Sequence, residues 1–301
     1  MQHCAMASSA RSASLDVDGH TLKVSNLDKI LYPADGTTKS DVLQHYLAVA
    51  EPILAQLADR PTTRKRWPDG VSKSPFFEKN VPRGTPDWVR TVELESPGST
   101  RDRSHVIYPI IENRAGLVWV ANLAALELHA PQWTVGPRDG VHDADRLVID
   151  LDPGAPAGLP ECVVVARLVR ERLVEEGYTV VPVTSGSKGM QLYASNGGTK
   201  PSDTFRSEAK KLAEDLEAEH RDLVLSNMKR DIRGGKILLD WSQNHHAKTT
   251  ITPYSLRGKE RSFVATPRTW EELDDPELAQ VHRTEIPDRL ETYGDLMDAL
   301  S

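Results

Sequence analysis

The 301-residue sequence has little cysteine, few aromatic residues and no long apolar run. Its two cysteines, Cys4 and Cys162, lie far apart, which excludes a disulfide framework and a zinc ribbon. No segment approaches the roughly 18 consecutive apolar residues of a membrane-spanning helix, and residues 1–14 lack the basic-then-apolar pattern of a signal peptide. We therefore expect an intracellular protein with no membrane partner and a disordered leader at residues 1–14.

An excess of positive charge is also missing, since the net charge is −7, which by itself argues against a nucleic-acid partner. The acids are concentrated, however: residues 271–301 hold ten of the 44 acidic residues and two of the 37 basic ones. The remaining chain is close to neutral, and its cations cluster at 64–66, 229–236 and 248–261. Local patches set the field that a phosphate feels, so a nucleic-acid partner stays open, although any single cluster is more often an ordinary solvated face.

Length and composition fit one large or two small domains. Strand and helix patterns mix without strict βαβ alternation, which predicts an α+β fold with mixed β-sheets flanked by helices. We expect one domain over residues 15–301, with a long irregular segment at 80–105 and acidic helices at 270–301. The apolar run at 117–129 predicts a helix that carries His129 at its end.

Two carboxylates end an apolar strand in the segment Leu147–Gly154. Residues two apart in a strand share a face, so Asp150 and Asp152 point the same way and repel unless a cation lies between them. A divalent ion with oxygen ligands is the usual solution; the alternative is an exposed strand end that runs into a turn. Asp240 ends a second apolar strand, and three such aspartates could hold the two metals of a nucleotidyl transfer.

A Gly-rich turn, Ser185–Gly189, lies between these strands and predicts a phosphate cradle of backbone N–H groups, hydroxyls and Lys188. Its spacing is not that of a P-loop, and such turns are common. Lys248, Arg257 and His129 add donors that suit a triphosphate, although a lone histidine is often structural.

Phe76 and Phe77 stand out because the chain has only four phenylalanines. On a strand the two rings face opposite ways, so one ring could belong to the core while the other stacks on a base. The alternative is that both rings are buried.

Taken together, these residues resemble the polymerase domain of bacterial non-homologous end-joining ligase D. That domain and the stand-alone bacterial primase-polymerases belong to the archaeo-eukaryotic primase superfamily. The resemblance runs from about Leu22 to Leu300. It is carried by ordered motifs at residues 28–33, 63–68, 76–79, 126–129, 150–154, 185–189, 240–244 and 253–258.

The resemblance implies a two-metal, DNA-directed nucleotidyltransferase that adds ribo- or deoxyribonucleotides at short gaps or broken ends during end joining. Its implied metal ligands are Asp150, Asp152 and Asp240, which would bind two ions, Mn²⁺ or Mg²⁺. The implied nucleotide contacts are Lys65, His129, Ser185, Lys188, Arg233, Gln243, Lys248 and Arg257. The implied DNA contacts are Asn26, Lys29 and Lys39 for a downstream 5′-phosphate, Phe76 and Phe77 for stacking, and the 80–105 loop. Implied partners are gapped or broken DNA, NTP or dNTP, an ATP-dependent DNA ligase and end-joining factors, in a bacterial cytoplasm at the nucleoid.

One position departs from the family pattern. Members normally carry a histidine two residues after the Lys-Gly pair, and this chain has Gln191 there. Glutamine can donate and accept hydrogen bonds but cannot become cationic, which weakens the phosphate contact expected at that point. Two other function classes therefore stay open: a catalytically weak DNA-end-binding scaffold, and a metal-dependent phosphodiesterase.

Overall fold

The computed structural model describes residues 12–95, 105–229 and 232–301. Its helices are α1 (Lys39–Ala48), α2 (Ala50–Leu57), α3 (Arg114–Asn122), α4 (Leu159–Glu175), α5 (Ser202–Glu219) and α6 (Ile286–Tyr293). Its strands are β1 (Ser12–Val17), β2 (His20–Ser25), β3 (Ile30–Tyr32), β4 (Thr37–Thr38), β5 (Thr63–Arg66), β6 (Phe76–Glu78), β7 (Thr91–Glu95), β8 (His105–Pro109), β9 (Ala125–Ala130), β10 (Trp133–Val135), β11 (Val141–Ala144), β12 (Leu147–Pro153), β13 (Thr179–Thr184), β14 (Met190–Ser195), β15 (Val224–Leu225), β16 (Ile237–Asp240), β17 (Thr250–Ile251), β18 (Phe263–Val264), β19 (Thr266–Pro267) and β20 (Val281–His282).

The larger sheet has six strands in the order β15-β16-β12-β14-β13-β19. Its pairs are antiparallel except β15 with β16, so the sheet is mixed. Side chains alternate along its strands: Ile149 and Leu151 pack with helices α4 and α5 in one core, whereas Val148 and Tyr193 join the other core. The central strand is therefore apolar at nearly every position because both of its faces are covered.

The smaller sheet has four strands in the order β17-β9-β5-β6. It belongs to the second core together with helices α1, α2 and α3. Helix α1 begins with a capping box in which Thr38 and Asp41 exchange hydrogen bonds. The edge strand β6 leaves one side of this sheet open, at the point where the two phenylalanines lie.

The predicted helix over 117–129 is wrong. Helix α3 ends at Asn122, Ala124 adopts a left-handed conformation with φ 56°, and strand β9 begins at Ala125. Both elements are buried nearly all round, and an apolar run of this kind shows no periodicity that separates helix from strand. His129 consequently lies on a strand.

Three further predictions change in detail. Residues 12–14 of the predicted leader belong to β1, and residues 1–11 lie outside the described residues. The 80–105 segment contains strand β7, which forms an antiparallel hairpin with β8, while residues 96–104 lie outside the described part. The acidic C-terminal region holds one α-helix, α6, and three 3₁₀ turns, at Glu272–Asp274, Arg283–Glu285 and Leu296–Leu300. That residues 15–301 form a single domain stays a prediction.

No helix within the described residues is long and apolar enough to cross a bilayer.

Candidate functional site

The larger sheet brings the three predicted aspartates to one face. Asp150 of β12 lies directly opposite Asp240 of β16 in the antiparallel register, and Asp152 follows two residues later on the same face. This face is the one that carries Val148 and Tyr193 toward the smaller sheet. The pairing of β12 with β16, which sequence spacing could not supply, therefore places all three carboxylates together.

Burial and the facing carboxylate of Asp240 raise the pKa of Asp150 to about 6, and Asp152 adds to the rise. Carboxylate oxygens are the ligands that Mg²⁺ and Mn²⁺ prefer, and a cation would relieve this repulsion. The residues present therefore fit the divalent ions that the aspartates were predicted to hold.

The other two aspartates have protein donors in this arrangement. Asp152 accepts a 2.8 Å hydrogen bond from Arg233 Nη1. Asp240 accepts from the Ser242 backbone N–H at 3.0 Å and from Gln243 Nε2 at 2.9 Å. Within the described residues these three carboxylates do not form a group whose ligand atoms all lie within 4.8 Å. Arg233 and Gln243, predicted as nucleotide contacts, thus touch the aspartates directly.

Gln191 flanks Asp150 on strand β14. It is 5% exposed, and its side chain hydrogen-bonds Asp150, which lowers the pKa of that carboxyl against the larger effect of burial. Its amide oxygen is buried without a hydrogen-bond partner among the described residues. A ligand or water donor could satisfy that oxygen, and the neutral amide adds no positive charge to this wall.

The Ser185–Gly189 turn packs tightly between β12 and Arg257. A Cβ on Gly189 would lie 2.0 Å from the Leu151 carbonyl oxygen, and one on Gly186, whose φ is +65°, would lie 2.5 Å from Arg257 Cγ. Three N–H groups of the turn already donate within the protein, to Gly189 O, Gln280 Oε1 and Ser185 Oγ. The predicted cradle therefore depends on hydroxyls and Lys188 more than on a backbone nest.

On the smaller sheet, Glu127 is the centre of the cationic wall. This carboxylate is 1% exposed and lies 2.9 Å from His129 Nε2, 3.4 Å from Arg257 Nε and 3.7 Å from Lys65 Nζ. It also accepts the Gly258 backbone N–H at 3.0 Å. One buried acid thus joins three predicted nucleotide contacts, and the sequence pattern alone indicates no role for it.

The charge states follow from these contacts. Burial raises the pKa of Glu127, but the hydrogen bond from His129 and the positive charges of Arg257 and Lys65 outweigh it and hold the pKa below its ordinary value. Burial lowers the pKa of His129 despite the adjacent carboxylate. At neutral pH Glu127 is ionised and His129 is neutral, with one ring nitrogen committed to Glu127.

A cavity of about 380 Å³ lies between the acidic wall, which is the face of the larger sheet that carries Asp150 and Asp152, and the cationic wall of the smaller sheet. Its lining includes seven predicted site residues, His129, Asp150, Asp152, Ser185, Lys188, Gln243 and Arg257, together with Gln191. Lys259 also lines it, and burial and the neighbouring Arg257 lower the pKa of its ammonium. Lys65 contacts Glu127, which also contacts the lining residues His129 and Arg257, and Lys248 donates to Ser242, two residues after Asp240. Lys259 belongs to the cation cluster at 248–261, and that cluster is the signal that could have indicated it.

Phe76 and Phe77 are 55% and 50% exposed. The expectation that one ring belongs to the core is wrong, because both rings remain half-exposed on the edge strand β6. The Phe77 ring lies edge-on to the His129 ring, with centroids 6.4 Å apart. An exposed aromatic surface therefore adjoins the cavity.

Asn26, Lys29 and Lys39, which are predicted to bind the downstream 5′-phosphate of DNA, form a separate patch that does not line this cavity. Lys29 N–H donates to Asn26 O at 3.0 Å, and Lys39 N–H donates to Lys29 O at 2.8 Å, so one turn joins the three residues. Burial, with the charges of Lys29 and Arg66, lowers the pKa of Lys39 to about 8. Arg66 belongs to this positive patch, although nothing in the sequence pattern indicates that it lies there.

Known proteins match the chain over most of its length. The family model described as "LigD, primase-polymerase domain" matches residues 38–297. The chain is 45% identical over 283 residues to the multifunctional non-homologous end joining DNA repair protein LigD of Mycobacterium tuberculosis, covering 92% of this chain and 36% of that protein. It is 33% identical over 257 residues to the bifunctional non-homologous end joining protein LigD of Bacillus subtilis, covering 84% and 39%.

A solved structure gives the same result. The polymerase domain from Mycobacterium tuberculosis ligase D in complex with DNA matches with a TM-score of 0.88 and 44% identity, covering 93% of this chain and 97% of that one. The match confirms the predicted α+β fold with a primase-polymerase core. The chain spans little more than a third of the length of the curated relatives.

Proposed function

The chain belongs to the LigD primase-polymerase domain family and is a nucleotidyltransferase of that family, and from this premise we propose that it adds nucleotides at short gaps or broken DNA ends. The observation that carries the proposal is the single cavity that joins Asp150 and Asp152 of one sheet to the cations of the other, with Asp240 opposite Asp150 but outside the lining. A metal-bound nucleoside triphosphate has both kinds of charge and fits such a cavity.

In the proposed mechanism Asp150, Asp152 and Asp240 hold two divalent ions, Mn²⁺ or Mg²⁺. When bound, these ions supply activation of the primer 3′-hydroxyl and stabilisation of the leaving pyrophosphate. Asp152 and Asp240, which now accept from Arg233 and Gln243, would hold these ions, and both donors would then be available to the nucleotide. Metal binding and nucleotide binding would thereby be coupled.

The triphosphate is bound by Lys188, Lys248 and Arg257, with Lys65 and Lys259 nearby. Charge-assisted hydrogen bonds of this kind favour phosphate oxygens and orient them. Glu127 holds Arg257 and Lys65 in place and fixes the proton of His129 on the nitrogen that faces it. The other ring nitrogen of His129 is then available to the nucleotide sugar, as is the Ser185 hydroxyl.

Phe76 and Phe77 supply the stacking surface for template and incoming bases. Stacking of a base on an aromatic ring contributes about 1–3 kcal/mol. Both rings are half-exposed, and the Phe77 ring adjoins His129 of the cavity lining. The strand that carries them pairs with β5, which carries Lys65, so the β-sheet connects the stacking surface directly to the cationic wall.

Asn26, Lys29 and Lys39 bind the 5′-phosphate on the downstream side of the gap. Lys29 now pairs with Asp69 at 3.0 Å, an exposed contact that a phosphate can replace. We further propose that the β7–β8 hairpin engages DNA ends, and that the protein works in the bacterial cytoplasm with an ATP-dependent DNA ligase and end-joining factors.

The test is extension of a short-gapped, 5′-phosphorylated duplex with Mn²⁺ and ribonucleotides. We expect templated addition that is lost in Asp150→Ala/Asp152→Ala and weakened on a gap without the phosphate. Tight, phosphate-dependent binding without addition would instead indicate a DNA-end-binding scaffold. Release of nucleotides from DNA without added triphosphate would indicate a phosphodiesterase.

A further inference from the structure

A second cavity, of about 670 Å³, lies outside the catalytic one. It is lined by the β7–β8 hairpin, the β10–β11 hairpin, the start of α5 and residues 246–249. Thr249 lines both cavities. Leu94, Tyr108 and Trp133 form apolar walls, while Asp203 and His246 contribute polar groups at one end. None of these polar groups has a role in the proposed polymerase mechanism.

At that end, three potential metal ligands come together from two parts of the chain. Asp203, in the first turn of α5, and the consecutive histidines His245 and His246 have ligand atoms that all lie within 4.8 Å of one another. Among the described residues this is the one group of three found at that spacing. The two imidazole rings lie side by side, with centroids 4.3 Å apart.

The backbone around the histidines is fixed from both sides. Trp133 Nε1 donates to the His246 carbonyl oxygen at 2.8 Å, and His245 N–H donates to Ser242 O at 3.1 Å. The side chain of Trp241 lies under the guanidinium of Arg206 on α5, at 5.5 Å. The loop of residues 241–249 is therefore already held against helix α5, and an ion would bind at the outer edge of this contact.

The donor set distinguishes this cluster from the three aspartates. Two imidazoles and one carboxylate suit Zn²⁺, Co²⁺ or Ni²⁺, whereas an all-oxygen set suits Mg²⁺ and Mn²⁺. Two weak contacts would compete with an ion: the Ala247 N–H on His245 Nδ1 at 3.1 Å, and Arg206 at 3.7 Å from Asp203. Such competition lowers affinity but does not block an open, partly exposed site.

We propose that Asp203, His245 and His246 form a binding site for a transition-metal ion of the zinc class, separate from the catalytic metals, that fastens the 241–249 loop to helix α5. This loop begins directly after Asp240 and carries Gln243 and Lys248, both placed in the catalytic site above. The bound ion therefore stabilises the folded loop without contacting the substrate.

Zinc titration by calorimetry tests the site, carried out on the full chain with Asp150→Asn/Asp152→Asn so that the catalytic carboxylates do not contribute. We expect one ion per chain and binding at least about tenfold weaker after Asp203→Asn or His246→Ala, because each removes a ligand. His220→Ala, at the far end of α5, is the matched control and should bind as tightly as its parent. Binding unchanged by Asp203→Asn, or abolished by His142→Ala, which lines the same cavity, would overturn the assignment.

A second measurement uses absorption spectroscopy and thermal melting instead of calorimetry. Cobalt(II) in a site with histidine ligands gives visible absorption bands, and zinc should displace it from the intact protein. We expect this signal, and a rise in melting temperature with Zn²⁺, in the parent but not in Asp203→Asn. A cobalt spectrum and a melting shift that persist in Asp203→Asn would contradict the proposal. Because neither measurement involves DNA or triphosphate, failure here leaves the proposed polymerase function unaffected.

Discussion

The two sheets that line the catalytic cavity carry opposite charges that are compensated to different degrees. On the larger sheet, Asp150 faces Asp240 across the strand pair, and the pKa of Asp150 rises because burial and that neighbour oppose ionisation. On the smaller sheet, Glu127 lies among three basic side chains and its pKa falls. One wall of the cavity is thus short of positive charge, whereas the other is held together by its own acid.

The two walls differ in whether their side chains are already positioned for the ligand before it binds. The cationic wall is ordered before any ligand arrives, since Glu127 fixes its donors, and preorganised donors need no rearrangement during reaction. In the proposed mechanism the acidic wall is completed by divalent cations from solution. Variants that neutralise one wall at a time should therefore have different consequences for activity and for stability.

The largest effect is expected from the acidic wall. Asp240→Asn removes a proposed metal ligand, and we expect templated addition to fall by about a thousandfold or more because transition-state charge is no longer stabilised. Single-turnover extension on a gapped duplex measures it. Asp215→Asn, an exposed aspartate on α5, is the control and should extend normally; equal activity of both variants would show that Asp240 holds no catalytic metal.

On the cationic wall, Glu127→Gln keeps the shape of the side chain but removes its charge. We expect kcat/KM to fall about ten- to a hundredfold, because misplaced donors cost that much, with a rise in the KM for the triphosphate. Steady-state kinetics separates the two constants.

Glu78→Gln is the matched control for that prediction. Glu78 pairs with Arg66 on the opposite face of the same sheet, at 2.8 Å, so its loss should leave the KM for triphosphate unchanged. If Glu78→Gln and Glu127→Gln raised this KM equally, the effect would be a general loss of sheet stability and not positioning.

A smaller effect is expected at the phosphate patch. Lys39→Ala should reduce the preference for a 5′-phosphorylated gap by about tenfold, since one hydrogen bond to a charged group is lost. Because the pKa of Lys39 is about 8, the ammonium is charged below that pH and neutral above it. The preference of the intact protein should therefore weaken as pH rises through 8, and a preference independent of pH from 7 to 9 would argue against Lys39.

The smallest effect concerns stability. Asp150→Asn should stabilise the metal-free protein by about 1–2 kcal/mol at pH 7–8, because one pKa unit corresponds to about 1.4 kcal/mol and the site is partly solvated. The pKa of the Asp150 carboxyl is raised from 3.8 to about 6 on folding, so its ionisation destabilises the folded protein increasingly between these two pH values and fully above the higher one. The stability gained by Asp150→Asn should therefore vanish as the pH falls to about 4. Urea unfolding with a chelator measures it. Asp152→Asn, which loses its contact with Arg233, should give no gain, and a destabilised Asp150→Asn would contradict the account.

Much of this arrangement could be predicted from the sequence. The strands that end in Asp150 and Asp240, the turn at Ser185–Gly189 and the strand at Phe76 follow from local apolar runs and turn residues. The pairing of β12 with β16 could not be predicted, because register depends on contacts far apart in the chain. The helix expected at 117–129 failed because burial on all sides leaves no period to recognise.

Glu127 shows a second limit of the sequence. A single acid in an apolar strand gives no sign of whether cations surround it, and only the register of β9 against β5 places Lys65 opposite it. Likewise, His245 and His246 gain a third neighbour only because α5 begins beside them. Residues whose role depends on contacts between distant segments are the ones that the sequence leaves unassigned.

Calorimetric binding of a nucleoside triphosphate with and without Mn²⁺ tests most directly whether the two walls share one ligand. For the intact protein we predict that Mn²⁺ tightens triphosphate binding, and that Asp150→Asn/Asp152→Asn abolishes this tightening while the cationic wall retains weak binding. Triphosphate affinity that is indifferent to Mn²⁺ in the intact protein would contradict the central claim.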